Sequence, residues 1–262
     1  MLFILLIGAL TGAFLNLIGA AGGVVATPLL CYGLGMSFME SNFIASTLVL
    51  FNCLLSTFVE RKYVLWSVAT FITIIGMIFT SVGVAIAQHL APHFIRVLFS
   101  LVTMIIVCSI LLAEFRKQDH TIDILALAPG SLLCWENFRY LMLFVILGVI
   151  SGIMSGILGV GGGFFVAPLL IICVSVTPKN SRATSLAIVA FILLFSLSYK
   201  FLYYTLQDEL EFIHLLSFVV SGTVGMLIGH NLKKFIAEKI ITIFCVATLI
   251  LISGFEFMAH TF

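Results

Sequence analysis

Charged side chains are scarce in this chain. Of its 262 residues only 9% are Asp, Glu, Lys or Arg, whereas 62% are hydrophobic. A soluble domain carries roughly 25% charged residues, so most of this chain has no water to face, and the composition indicates an integral membrane protein. The formal net charge of +1 provides no basic patch that could neutralise phosphates, so we expect no nucleic-acid partner.

The chain also lacks the usual patterns of metal, redox and catalytic sites. None of the six cysteines belongs to a CxxC pair, and the six histidines are spread over the chain. Because buried cysteine behaves as a small hydrophobic residue, we interpret the cysteines as packing residues and expect neither a metal nor a cofactor. A membrane enzyme needs a nucleophile with a base, or a metal cluster, inside the membrane. The sequence offers neither, so we do not expect an enzyme.

One glycine-rich stretch is present twice. Residues 19–30 read GAAGGVVATPLL and residues 159–170 read GVGGGFFVAPLL, so that Gly19 corresponds to Gly159 and Pro28 to Pro168, 140 positions on in each case. Gly8 and Gly12 correspond to Gly148 and Gly152 at the same offset. An apolar segment that is interrupted by glycine and proline at matching positions of two halves is typical of the binding site of a membrane transporter.

Hydropathy divides the chain into two halves with one plan, 1–113 and 138–262, joined by a polar linker at 114–137. Each half begins with a short pair of apolar segments around the glycine motif and continues with three segments long enough to span a bilayer, which takes about 20 residues. The segments of the first half are 2–18, 24–36, 42–59, 64–88 and 94–113. Those of the second half are 138–158, 164–176, 183–206, 212–232 and 240–259. The sequence therefore predicts an all-α polytopic membrane protein.

Lysine and arginine decide the predicted orientation, because they collect on the cytoplasmic side. If each short pair is a V that returns to its starting side, the two halves are inverted repeats, and ten of the twelve Lys and Arg residues fall on the side of the linker. If each pair crosses the membrane once, the halves are parallel and the charges split nearly evenly. We therefore predict inverted repeats in the inner cell membrane, with both termini outside and the linker cytoplasmic.

The glycine motifs are the candidate binding site. A helix break in lipid exposes backbone groups that need a partner, and the helix that follows each motif presents free N–H groups and about half a positive charge at its N-terminus. Such ends suit a small anion, and two inverted copies would face each other near the midplane. The candidate binding residues are the motifs and the polar side chains near them: Gly19, Gly22, Gly23, Thr27, Pro28, Asn16, Ser46, Thr47, Asn52, Gly159, Gly161, Gly162, Gly163, Pro168, Thr184 and Ser185.

Several of these residues have a purely structural alternative. Glycines in membrane helices often serve close helix packing, and serine and threonine hydroxyls often bond a carbonyl of their own helix. Arg182 is either a cytoplasmic topology charge or a substrate contact. Lys200, the one basic residue well inside a span, either contributes to function or extends to the nearer interface.

The duplicated motif resembles that of the sulfite exporter TauE/SafE family of membrane permeases. The shared pattern is G-x-x-G-G-x-x-x-x-P in each half, at Gly19–Pro28 and Gly159–Pro168, followed by a polar segment at Ala45-Ser46-Thr47 and Ala183-Thr184-Ser185, 138 positions apart. The two copies differ at Ala20-Ala21 against Val160-Gly161 and at Asn16 against Gly156, so the half-sites are not chemically equivalent. The resemblance covers essentially the whole chain and implies transport of small sulfur-containing anions, such as sulfite or organosulfonates.

The sequence thus favours a secondary transporter that exports a small anion by alternating access around the two glycine breaks. An anion channel, or a permease for another small anion, built on the same breaks is the alternative. Coupling to a proton or another ion is compatible with either function, but no carboxylate lies well inside a span to carry a proton.

Overall fold

The computed structural model describes residues 2–18, 22–116, 138–159, 163–174, 176–205, 212–232 and 247. All regular secondary structure within these residues is helical. The helices of the first half are α1 (Leu2–Ile18), α2 (Gly22–Leu34), α3 (Phe38–Val59), α4 (Trp66–His89) and α5 (Pro92–Arg116), with a 3₁₀ turn at Arg61–Tyr63. Those of the second half are α6 (Phe138–Leu158), α7 (Gly163–Val174), α8 (Pro178–Thr205) and α9 (Phe212–Leu232). The predicted span 240–259 lies outside the described residues except for position 247, and most of the predicted linker also lies outside them.

Four of these helices are long and apolar enough to cross a membrane: α3, α4, residues Tyr140–Leu158 of α6 and residues Pro178–Phe201 of α8. The described residues therefore agree with the predicted all-α, polytopic membrane protein. The helices that follow the two motifs are short, as predicted: α2 has 13 residues and α7 has 12. At 1.5 Å per residue they are roughly 18–20 Å long, against ~30 Å of hydrocarbon core. Pro28 and Pro168 lie inside them rather than at their ends.

The first helix of the second half coincides with the predicted segment 138–158, but it is not short, so the description of both segments of this pair as short does not hold. Helix α6 has 21 residues and continues through Gly148, Gly152 and Gly156 up to Leu158. These glycines do not end the helix because its glycine face is packed against α4, which stabilises it. The second pair therefore combines one helix of spanning length with one short helix.

Helices α4 and α6 meet along a seam of small residues. A Cβ atom built on Gly152 would lie 3.0 Å from the Cα atom of Gly76, and one built on Gly156 would lie 2.6 Å from the backbone nitrogen of Val84. Gly83 likewise faces the backbone of Gly156. Such contact between backbones is the usual role of small residues in membrane helices, so these glycines serve packing.

The seam between α1 and α9 repeats this arrangement. A Cβ atom on Gly12 would lie 2.8 Å from the Cα atom of Gly222, and one on Gly225 would lie 2.7 Å from the Cα atom of Ala9. The pairs α4–α6 and α1–α9 are the two most extensive helix contacts of the described residues. In chain order, α1 of the first half corresponds to α6 of the second, and α4 corresponds to α9. The pair α1–α9 is therefore the counterpart of the pair α6–α4. The inverted orientation of the halves remains a prediction.

Helices α3 and α8 form the centre of the bundle and are the most buried of the spanning helices. Val49 and Cys53 of α3 belong to one apolar cluster with Leu186, Val189 and Leu193 of α8. Helix α3 begins earlier than predicted, at Phe38, because a capping box stabilises its first turn. The Ser37 hydroxyl accepts from the Glu40 backbone N–H at 3.2 Å, and the Glu40 carboxylate accepts from the Ser37 backbone N–H at 3.1 Å.

Candidate functional site

The second glycine motif begins with a backbone reversal at Gly159. This residue has φ +69°, a left-handed conformation that is unfavourable for residues with a Cβ atom. Its N–H donates to the carbonyl of Ser155 at 2.9 Å, which ends α6. A Cβ atom at this position would also overlap the Asn42 side-chain oxygen and the Lys200 ammonium. The left-handed conformation therefore favours glycine, and a larger residue would also have to displace the ends of the Asn42 and Lys200 side chains.

Two side chains of α3 hold this break. The Asn42 amide donates from Nδ2 to the carbonyl of Leu158, and the Ser46 hydroxyl donates to the carbonyl of Gly159. The last carbonyls of a helix have no partner within the helix, and inside a bilayer they need one from the protein. Asn42 and Ser46 are buried, at 4% and 2% exposure, so this end of α6 is anchored to α3 in the protein interior.

A lysine lies beside the anchored break. The Lys200 ammonium of α8 donates to Oδ1 of Asn42 at 3.2 Å, while Nδ2 of the same amide is bonded to Leu158. No carboxylate of the described residues lies within ion-pair distance of Lys200. An ammonium group has three N–H donors, and the bond to Asn42 is the one that Lys200 makes with the described residues. Its charge is not neutralised by a counter-ion of these residues.

These residues border a cavity of ≈ 290 Å³ at one end of the bundle. It is formed by the starts of α3 and α5 and the ends of α4, α6 and α8. Its polar lining consists of Asn42, Gln88, Tyr199 and Lys200, and its apolar side chains are Phe38, Met39, Val84, Ala87, Ile95 and Ile157. Gln88 and Tyr199 are exposed, so the cavity is reached from the surface of the bundle.

The first glycine motif is only partly described. Gly22 and Gly23 are the first residues of α2, and Gly163 is likewise the first residue of α7. Thr27 and Pro28 are buried in α2, and Pro168 is buried in α7. The remaining candidates of the two motifs lie outside the described residues: Gly19, Gly161 and Gly162. The side chain of Asn16, near the end of α1, also lies outside them.

The predicted hydroxyls have different partners. The Ser46 hydroxyl lies within hydrogen-bond distance of the carbonyl of Gly159 and also, at 2.5 Å, of the carbonyl of Asn42 in its own helix. The Thr47 hydroxyl donates to the carbonyl of Phe43 in its own helix at 2.9 Å. In α8, the Thr184 hydroxyl accepts from the backbone N–H of Leu65 at 3.0 Å, and Ser185 donates to the carbonyl of Arg182 at 2.9 Å. Of these four candidates, the described structure brings only Ser46 into contact with a glycine motif.

Asn52 is fully buried in α3, with 0% exposure, and neither its amide nitrogen nor its oxygen has a hydrogen-bond partner among the described residues. A buried polar group without a partner costs about 1–3 kcal/mol. Among the described residues, this candidate therefore has no partner for its two donors and its acceptor in the interior of the bundle.

Arg182 lies at the other end of α8 from Lys200. Its Nη2 atom is 4.0 Å from Oε1 of Glu60, and Lys179 lies 3.8 Å from the ring centroid of Tyr63 nearby. A hydrogen bond from Lys179, with its charge and that of Lys62, lowers the pKa of Tyr63. Within the described residues, Arg182 belongs to this basic cluster beyond the end of α3 and not to the cavity.

Comparison with known families adds a second line of evidence to this geometry. The profile of the family described as "Sulfite exporter TauE/SafE" matches residues 4–255, nearly the whole chain. The chain belongs to the TauE/SafE family. It is therefore a membrane transporter by family, in agreement with its apolar helices and its duplicated glycine motif.

A curated relative supports this assignment. The TauE/SafE chain is similar to a "Probable membrane transporter protein" of Xylella fastidiosa, with 24% identity over 237 residues. The match covers 88% of this chain and 85% of the relative. No solved structure gives a significant match.

Sequence reasoning did not include Asn42 among the candidates and left the role of Lys200 undecided. A signal for both was present, because the offset of 138 that relates Ala45 to Ala183 also relates Asn42 to Asn180 and Lys62 to Lys200. Each half of this TauE/SafE chain thus carries an asparagine before the polar segment and a lysine after it. The sequence does not show that Asn42 and Lys200, which belong to different halves, meet each other.

Proposed function

We propose that the protein is a secondary transporter that exports small sulfur-containing anions, of the sulfite or organosulfonate type. The substrate binds at the two glycine breaks, and the two halves move against each other to give alternating access. The observation that carries this proposal is the buried break at Gly159, which is held by Asn42 and Ser46 beside the ammonium of Lys200.

The physical support is the rule for irregular backbone inside a membrane. Irregular backbone in a membrane protein is stable where it contacts protein or lines a cavity. The break at Gly159, at the end of a helix of spanning length, does both, because α3 holds its carbonyls and the cavity beside Lys200 adjoins it. A positive side chain at such a break suits an anion and disfavours a cation.

The packing of the bundle supports the proposed movement. The seams α4–α6 and α1–α9 each join one helix of the first half to one helix of the second half. A rocking movement of one repeat against the other would therefore take place at these two seams.

The test is flux through the purified protein in proteoliposomes. We expect uptake of labelled sulfite or of a short sulfonate that saturates with concentration and is accelerated by the same anion on the opposite side. Unitary conductance without counter-exchange would instead identify an anion channel. Saturable flux that is lost in Gly162→Leu but kept in Gly35→Leu, at a loop glycine where an added Cβ atom would have no neighbour within 4 Å, would tie transport to the second break.

A further inference from the structure

The cavity beside Gly159 contains one charged side chain and a mostly apolar wall. Of the described lining residues only Lys200 carries a charge, and it approaches the cavity together with Asn42, Gln88 and Tyr199. The remaining lining is aliphatic or aromatic, apart from the backbone of Gly156. Such a combination of apolar walls and a few convergent polar groups is typical of a small-molecule site.

Lys200 is positioned rather than loose. Its ammonium is fixed by Asn42, whose own amide is fixed by the carbonyl of Leu158, and the backbone of Gly159 lies against it. A lysine that merely extends to the interface would not need this chain of contacts. Since its charge has no counter-ion among the described residues, an anion in the cavity would supply the missing partner.

We infer that this cavity is a binding subsite for an organic monoanion with a short apolar chain, and that Lys200 is the residue that binds the anionic group. The inference rests on the proposed anion transport and names the chemistry of the substrate. One ammonium group balances one negative charge, so a dianion would keep an unpaired charge next to apolar walls.

The size and the walls of the cavity favour an organic anion over an inorganic one. Its volume of ≈ 290 Å³ is about ten times the ~30 Å³ of a water molecule in the liquid, so sulfite would leave most of it unfilled. An apolar chain that lies against Phe38, Val84 and Ile157 gains affinity with each methylene. We expect about fourfold tighter binding per added CH₂ until the cavity is filled.

The experiment measures ligand binding to the purified full chain in detergent, by calorimetry with thermal unfolding as a second readout. The probes are methane-, propane- and pentanesulfonate, the carboxylates of the same chain lengths, and sulfate. We expect affinity to rise with chain length, sulfate to bind weakest, and Lys200→Gln to weaken the sulfonates by about 10- to 150-fold, the loss expected for a hydrogen bond to a charged group.

Three variants separate the role of Lys200 from a general effect on folding. Lys62→Gln removes the lysine at the corresponding position of the first half, which is exposed, and should bind like the unaltered chain. Lys200→Arg keeps the charge and should bind more tightly than Lys200→Gln. Ala87→Phe fills the cavity and should abolish the dependence on chain length while Lys200 is still present.

Equal affinity of the Lys200→Gln protein and the unaltered chain for every probe would overturn the inference, as would affinity that does not change with chain length. Stabilisation by anionic phospholipid in mixed micelles, with no response to any sulfonate or carboxylate, would assign the same chemistry to a lipid and also overturn it. Sulfite flux that persists in Lys200→Gln leaves the proposed function intact and removes this subsite. Binding that depends on Lys200, in a protein that shows no flux, would support this subsite and refute the proposed transport function.

Discussion

Lys200 and Asn42 are 158 positions apart in the chain, yet the ammonium of one donates to the amide oxygen of the other at 3.2 Å. The contact joins α8 of the second half to α3 of the first, at the level of the break that ends α6. Asn42 connects the three elements, because its amide accepts from Lys200 and donates to Leu158. The only basic side chain of the described cavity lining is thus linked to the glycine motif through one asparagine.

Gly159→Ala is expected to destabilise the protein by about 2–5 kcal/mol, from left-handed strain and from overlap with Asn42 and Lys200. Gly35→Ala is the matched control, since Gly35 also has positive φ, at +66°, but an added Cβ atom there would have no neighbour within 4 Å. It should lose only the strain, about 1–2 kcal/mol. Thermal unfolding in detergent measures both, and equal losses would show that the contacts at Gly159 do not matter.

Ser46→Ala removes the hydroxyl that holds the carbonyl of Gly159. We expect a loss of about 1 kcal/mol in stability and a lower transport rate, because the break is then less firmly held. Thr47→Ala removes the next hydroxyl, which bonds only within its own helix, and should change stability by less than about 0.5 kcal/mol. A larger effect for Thr47 than for Ser46 in proteoliposome flux would contradict this assignment.

Asn52→Leu replaces a buried amide, which has no partner among the described residues, by an apolar side chain of similar size. Because the unsatisfied amide costs about 1–3 kcal/mol, we expect stability to be kept or raised while transport falls. Thr57→Val is the control. It removes a buried hydroxyl of α3 that likewise has no partner among the described residues, and it should keep transport. Unchanged flux in Asn52→Leu would exclude Asn52 from the binding site.

The two glycine seams should respond alike if the halves are structural repeats. Gly152→Ala and Gly12→Ala occupy matching positions and face Gly76 and Gly222, so each should destabilise by about 1–3 kcal/mol. Ala85→Val, at an exposed position of α4, is the control for added volume. Loss of stability in only one of the two seams would argue against equivalent packing.

The predicted topology places the two ends of α3 on opposite sides of the membrane. In a chain without its native cysteines, Gly35→Cys should react with an impermeant maleimide on intact cells. Lys62→Cys should react only after the cells are opened. A reporter fused after Phe262 should be outside, and a cytoplasmic signal from it would refute the inverted arrangement.

Much of this protein follows from local sequence. The boundaries predicted for the 212–232 span coincide with α9, and the shortness of α2 and α7 follows from the glycines before them and the polar residues after them. Hydropathy works well here because every segment in a bilayer must satisfy its own backbone as a helix. The TauE/SafE family was likewise recognisable from the duplicated motif, and the family profile confirms it.

Other features depend on which side chains meet across the bundle. The glycines Gly152 and Gly156 do not interrupt α6, because they face the backbone of α4. Gly159, which opens the repeated glycine motif, ends the helix with a left-handed backbone conformation. Likewise, Ser46 and Thr47 are adjacent hydroxyls, and only the position of α6 decides that Ser46 reaches the break.

The sequence by itself determined the membrane environment, the helices and the duplication, because these follow from the composition and periodicity of single segments. Tertiary structure alone decided that Lys200 lies against Asn42 and Gly159, that Arg182 pairs with Glu60 at the other end, and that a cavity adjoins the second break. A lysine in a span has the same hydropathy whether it faces lipid or a cavity. Only its distance to residues of the other half distinguishes the two.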